Sequence, residues 1–281
     1  GGTSSLVRRG PSTTVGFSFL VSPVWGCRFE TRFWNSTPGC VPRGPGSMSE
    51  EGQVARTEWN SDVELFELAR RELYTAAIGD ICDQLGLRRQ FLSPGIRPLQ
   101  SGSGVPLMIG RAMTVLEADV FADPRTGPPF GRMLEALDDL SSDEIYVCAG
   151  ASPSYALVGE LMATAMIARG AVGAVCEGYV RDTEGILKLD FPVYSYGSYS
   201  QDQRGRGIVL DWRVPIEISG VRISPGDIVV GDIDGVLVVP REAEDTVFTD
   251  ALVKARAEKT VQKAIANGMT ATEAFEEYGI L

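Results

Sequence analysis

The stretch that most constrains the fold runs from Gly159 to Asp182, GELMATAMIARGAVGAVCEGYVRD. Its first half is a helix of small and apolar residues, Gly159 to Ala168, closed at Gly170. An apolar strand comes next, Val172 to Cys176; the pattern breaks at Gly178 and then presents Arg181 directly beside Asp182. Helix, strand, helix, strand is the order of an α/β layer, and it is repeated upstream. Ser61-Asp62-Val63-Glu64 reads as a capping box, with Leu65, Phe66, Leu68, Ala69 and Leu73 as the apolar stripe of the helix it opens. A second helix is expected near Thr75 to Leu85, closed by Gly86. After it come a strand from Met108 to Leu116, a helix from Phe130 to Leu140 and a buried strand from Glu144 to Ala149. The second half changes to short β runs: Pro192–Tyr196, Gly207–Trp212, Val214–Ile218, Val221–Ile223, Asp227–Gly231 and Val236–Val239. Turns at Ser219-Gly220, Pro225-Gly226 and Asp234-Gly235 separate several of them. A long helix, about Arg241 to Ala266, and a short one, Ala271 to Tyr278, close the chain. No internal repeat and no linker composition divides 48–281, which reads as one domain.

Residues 1–47 stand apart. They are rich in Gly, Ser, Thr and Pro and lack a sustained period, so they read as a disordered extension. VPRGPGSM, Val41 to Met48, resembles an expression-tag scar, and Met48 would serve as a native start. An Arg-rich, acid-poor segment also suits an organelle-targeting peptide, the second reading. This segment holds five arginines against one acid, so the net charge of −11 leaves −15 on the remainder. A body that acidic is a poor nucleic-acid binder, because phosphate neutralisation needs clustered Lys and Arg. No apolar run approaches the roughly 20 residues needed to span a bilayer, and the expectation is a cytoplasmic protein. The five cysteines are scattered at no metal-ligand spacing, which reads as reduced thiols. Histidine is absent. That excludes a Ser-His-Asp triad, a histidine zinc site and a histidine base.

The chemistry that remains converges on the opening stretch. A helix start at Gly159-Glu160-Leu161-Met162 offers unpaired amides and partial positive charge, and glycine lets an anion approach closely. Arg181, just past a strand end, suits a bidentate grip on a carboxylate. Asp182 suits a hard divalent cation that keeps several waters. An anion seat beside a metal seat makes a 2-oxo-acid site. Such a site favours the negative charge that develops in retro-aldol cleavage and β-keto-acid decarboxylation. Each feature alone has a plainer explanation, a helix start with room to pack or a surface ion pair; their order and spacing carry the reading.

Gly159 to Asp182 resembles the signature of the RraA-like / 4-hydroxy-4-methyl-2-oxoglutarate aldolase family: a G-E/D-L-L-A-T turn, a helix, G-x-x-G-x-V-x-D-G, then R-D. YTAAIGDICDQLG (Tyr74 to Gly86), GRAMTV (Gly110 to Val115) and VPIEISGVRISPGDIVVGDIDGVLVVP (Val214 to Pro240) are similar to its opening helix, first core strand and β-meander. The resemblance covers about Ser61 to Leu281. It implies an α/β fold of the three-layer β/β/α swivelling-domain type with C-terminal helices. It also implies homotrimers or homohexamers with active sites at subunit interfaces. The activity it implies is a Mg²⁺- or Mn²⁺-dependent lyase that cleaves a 4-hydroxy-2-oxo acid to pyruvate plus a second carbonyl product, with oxaloacetate decarboxylation beside it. Position by position, Arg181 matches the substrate-binding arginine and Asp182 the direct metal ligand. Glu160 matches an acid on a metal-bound water, and the Leu161 and Met162 amides match those that hold the pyruvate carboxylate. Glu258 matches an acid that reaches metal waters from a neighbouring subunit. Glu177 stands where an aspartate is common; 119–129 and 199–207 match nothing in the signature and are candidates for shaping the substrate pocket. Other members of the family regulate a ribonuclease by protein contact, the alternative reading. Asp80 and Asp83, Asp232 and Asp234, Arg204-Gly205-Arg206 and Trp212 are read as structural.

Overall fold

The computed structural model describes Gly1 and residues 57–100, 102, 104–121 and 129–280. The rest of the N-terminal extension and most of 119–129 lie outside the described residues. Helix α1 (Asp62–Glu72) starts where Ser61 Oγ accepts the Glu64 amide at 3.3 Å. The Glu64 carboxylate takes the amide of Asn60, not that of Ser61, so the reciprocal half of the expected box slides back one residue. Helix α2 (Thr75–Gln84) has no side-chain cap from Tyr74. Asp232, far along the chain, instead accepts from the Thr75 amide at 2.8 Å and its hydroxyl at 2.7 Å.

After β1 (Arg97–Pro98) and the long β2 (Met108–Asp119), helix α3 forms only over Met133–Asp138. It is shorter than the expected Phe130–Leu140 because its start is drawn elsewhere. Gly131 turns at φ 62°, and the Arg132 amide donates to the Val209 carbonyl at 3.0 Å. Then come β3 (Glu144–Ala149), β4 (Ala156–Val158), α4 (Glu160–Ala168), β5 (Gly173–Cys176), β6 (Tyr179–Val180) and α5 (Thr183–Lys188). The β-rich half supplies β7 (Val193–Ser195), β8 (Gly207–Trp212), β9 (Ile216–Ile218), β10 (Val221–Ile223), β11 (Ile228–Asp232) and β12 (Gly235–Val239). A 3₁₀ turn, Arg241–Ala243, leads into α6 (Glu244–Ala266), and α7 (Ala271–Tyr278) opens with a complete Thr270/Glu273 capping box.

The main sheet has the order β1-β7-β5-β3-β2-β11-β12, with β8 also on β2. Strands β2, β3, β5 and β7 run parallel, and the other pairings are antiparallel. Alternation along the strands sorts side chains into three cores. Ile109, Ile228, Val230 and Leu237 pack against α1, α2 and α6. Met113, Tyr146, Cys148 and Cys176 pack against α3, α4 and α5. Ala112, Val147, Val175, Tyr194, Val229 and Val238 turn to the remaining face, where the β9–β10 hairpin covers them. The layers are therefore hairpin, sheet and helices, the β/β/α arrangement.

Arg111 on β2 ties the helical layer to the sheet. Its guanidinium donates to Asp62 at the start of α1 (2.7 Å), to the Gly226 carbonyl (3.1 Å) and to Glu244 at the start of α6. Its side chain is only 15% exposed, so deleting it takes from both Asp62 and Glu244 the cation that each hydrogen-bonds. Arg111→Met is expected to lower the unfolding free energy by about 2–3 kcal/mol, read from urea denaturation.

Candidate active site

Two very short strands build the site. β4 and β6 pair in parallel, with Val158 opposite Val180, and the Arg181 amide donates to the Val158 carbonyl at 2.9 Å. Because α4 starts directly after β4, and Arg181-Asp182 directly succeeds β6, this pairing sets the helix N-terminus beside the Arg–Asp pair. Gly159 caps α4 in extended conformation, φ −131°, so the glycine is required by proximity and not by backbone geometry. A Cβ there would fall 2.7 Å from Asp182 Oδ2 and 3.4 Å from Arg181 Nε.

Asp182 adopts the left-handed region, φ 56°, and caps α5. That conformation is uncommon for residues other than glycine, although Asp and Asn tolerate it. The Asp182 carboxylate lies toward α4, where Oδ2 accepts from the Glu160 amide at a long 3.4 Å and stands 3.7 Å from Arg181 Nε. The Leu161 and Met162 amides, next in the first turn, have no acceptor among the described residues. The Glu160 carboxylate does not line the cavity; it rests over Gly185 of α5, where an added Cβ would collide with Oε2.

These groups open onto a cavity of about 310 Å³. Gly159, Leu161, Met162, Arg181 and Asp182 line it, while Glu160 and Glu258 do not. Glu258 sits on α6, accepts from the Tyr74 hydroxyl and pairs with Lys254 at 2.7 Å. Asp202 and Gln203 also line the cavity, and no sequence motif marks them. The loop that carries them runs beside β4 and β6: the Ala156 amide donates to the Gln201 carbonyl and the Tyr199 amide to the Val180 carbonyl, each at 2.8 Å. Asp202 thereby reaches Arg181 Nη1 at 3.3 Å. The one available signal is their place in a loop just ahead of a strand, where binding residues collect.

Beneath Gln203 lies a buried acid, Glu117. Glu117 continues the inward-facing row of Met113 and Val115 on β2, and the register shift beside it leaves the extra residue, Leu210, on β8. Gln203 Nε2 donates to Glu117 Oε2, while Oε1 and the nearby Tyr146 hydroxyl have no partner among the described residues. Burial pushes the Glu117 pKa from 4.5 up to about 8, opposed by hydrogen bonds from Gln203 and the Cys148 thiol.

The residues read as structural behave so where they are seen to act. Asp80 pairs with Lys254 at 3.2 Å, Asp232 caps α2, and Trp212 Nε1 donates to Asp139 at 2.8 Å beneath the Arg132 guanidinium. Among the described residues, no helix is long and apolar enough to cross a membrane, and no three or more acidic or cysteine side chains converge as a ready metal cage. The donor set at Asp182 is one carboxylate whose Oδ2 holds only long contacts. That fits Mg²⁺ or Mn²⁺: hard cations of this kind are commonly bound through one or two carboxylates with several waters retained.

The RraA-like family, described as Aldolase/RraA, matches residues 75–238. A protein of Halalkalibacterium halodurans, provisionally named 4-hydroxy-4-methyl-2-oxoglutarate aldolase, is 30% identical over 74% of this chain and 91% of its own. Protein DlpA of Legionella pneumophila is 29% identical over 73% of this chain; the match spans only 32% of DlpA, and several further relatives are matched over 48–61% of their length. Among solved structures, RraAS2 of Streptomyces coelicolor, described as an unusual member of the RNase ES inhibitor RraA protein family, superposes with a TM-score of 0.62 at 24% identity, over 73% of this chain and 98% of its own. The chain belongs to the RraA-like family.

An acid held neutral by burial favours the fold at low pH. Below 4.5 Glu117 is protonated both folded and unfolded. As pH rises toward 8 the unfolded chain loses that proton freely and the folded one does not, so its contribution to stability is lost across that window. Glu117→Gln is expected to flatten the fall in stability between pH 5 and 8, measured as urea midpoints at several pH values.

Proposed function

We propose that this protein is a divalent-metal-dependent lyase that cleaves a 4-hydroxy-2-oxo acid to pyruvate and a second carbonyl compound, with oxaloacetate decarboxylation as a side activity. The observation that carries the proposal is the convergence, on one cavity, of the free α4 amides, Arg181 and Asp182. The provisional aldolase name of a relative 30% identical to this chain supports it.

In this reading the Leu161 and Met162 amides hold the substrate carboxylate at the positive end of α4. Gly159 keeps that seat open against Asp182 and Arg181. A divalent cation on Asp182 would supply Lewis-acid stabilisation of negative charge on the 2-oxo oxygen. The Arg181 guanidinium faces the same oxygen and donates to it as charge builds. The 4-hydroxyl passes its proton to water and its electron pair forms the new C4 carbonyl; the C3–C4 bond breaks, its pair becomes the C2–C3 double bond, and the 2-oxo π pair moves onto oxygen. C3 then takes a proton to yield pyruvate. With no histidine in the chain, a water held against Arg181 carries that proton. Glu160 holds Asp182 through its own amide, and its carboxylate, which rests over Gly185, would have to turn toward the cavity to reach water on a bound cation. Glu258 of a neighbouring copy in a homotrimer or homohexamer would supply a further carboxylate for the water around a bound cation.

Pyruvate release from 4-hydroxy-2-oxo acids, coupled to lactate dehydrogenase, tests this. Activity is expected with Mg²⁺ or Mn²⁺ and is abolished by chelator. Asp182→Asn is expected to lose at least about a hundredfold in kcat, the scale of removing one preorganised electrostatic group; full rate in that variant sinks the assignment. Glu258→Gln, remote from the cavity of its own protomer, is expected to lose about tenfold, the scale of an outer-shell metal partner. An unchanged rate removes it from the site.

A further inference from the structure

The cavity is asymmetric in a way that bears on what else the substrate carries. One end holds every charged group: Arg181, Asp182 and Asp202. The apolar part of the wall includes Phe130, Met133, Leu134 and Leu137 from the α3 region and the side chains of Leu161 and Met162 on α4. Among the described lining residues Arg181 is the single cation, and it already stands 3.7 Å from Asp182 and 3.3 Å from Asp202. The polar group on the cavity floor, Gln203, has its amide nitrogen turned to Glu117.

Resting on the aldolase reading, we infer that this wall receives a neutral, apolar substituent at C4 of the substrate, so that cleavage gives pyruvate and an uncharged aldehyde or ketone instead of a second 2-oxo acid. The first carboxylate of the substrate takes the α4 amides. A second carboxylate, at C4, would lie against Met133 and Leu137, both buried, with Leu134 and Leu161 exposed at the rim, and no free cation among the described lining residues of this protomer would pair with it. An alkyl or aryl group there gains by leaving water. The size agrees: about 310 Å³ is at the small end of ligand cavities, which run from about 300 to 1,000 Å³. That leaves room for a pyruvoyl unit and a short chain.

The test compares kcat/KM for 4-hydroxy-2-oxo acids carrying straight alkyl groups of increasing length at C4 with that for 4-hydroxy-4-methyl-2-oxoglutarate, using the full chain with Mn²⁺. The expected result is a rise of about fourfold per added methylene until the cavity is filled, with the dicarboxylate at least about a hundredfold below the best alkyl substrate. Leu134→Arg, at a position 62% exposed and therefore able to carry a charge without unfolding α3, is expected to narrow that gap; its thermal melt checks the fold. Equal or better turnover of the dicarboxylate by the wild type, with no dependence on chain length, overturns the inference. So does a Leu134→Arg variant that changes the oligomeric state in sedimentation without moving the preference, for then the wall is an interface with a second copy. Deuterium exchange into the pyruvate methyl group needs no C4 substituent and separates the two levels. Exchange without alkyl preference overturns only the substrate class; neither exchange nor cleavage of any substrate overturns the aldolase reading and the substrate class with it.

Discussion

One backbone hydrogen bond, from the Arg181 amide to the Val158 carbonyl, decides where the charged groups of this molecule meet. It pairs β6 with β4, and each polar residue of the cavity directly succeeds or flanks one of those two strands. The free amides of α4 come after β4, Arg181 and Asp182 come after β6, and the loop bearing Asp202 lies alongside both. The large sheet fixes the two strands only indirectly, by setting the ends of β3 and β5. The precision of the site therefore depends on five residues of strand, Ala156–Val158 and Tyr179–Val180.

Periodicity makes the long elements legible. α1, α2, α4 and α6 carry apolar residues over two or more turns, and β2, β3 and β5 are buried enough to read as continuous apolar runs. The elements that build the site are too short for a period to appear. β4 has three residues, β6 two and α5 six, and the sequence pattern marks none of them. It overextends α3, because Phe130 and Arg132 look helical in isolation whereas pairing with Val209 on β8 takes their backbone. The juxtaposition of Gly159 with Arg181-Asp182 is readable from chain order and the family signature together. Asp202 is not, since its role comes from a loop path and not from a local pattern. Glu117 is the other kind of omission: an acid near the end of an apolar strand looks like an exposed residue, although it shares the inward face of Met113 and Val115.

The two helical groups also divide the electrostatics. On the α1, α2 and α6 side, charges are matched in networks: Arg111 with Asp62 and Glu244, Arg256 with Glu58 and Glu72. On the α3 to α5 side the cavity keeps its charges at one end and is otherwise apolar, with Glu117 held neutral below the floor by its burial. The first arrangement locks one conformation of the shell. The second leaves Arg181 partly open to solvent beside its two acids, where an entering anion can reach it.

The left-handed backbone at Asp182 carries a consequence for how such a scaffold diversifies. Asparagine and glycine occupy that region with little or no strain, so the fold itself does not demand an acid there. Replacing the carboxylate by an amide or by hydrogen would therefore leave the turn into α5 intact, so the charge at this position can change without a change of shape.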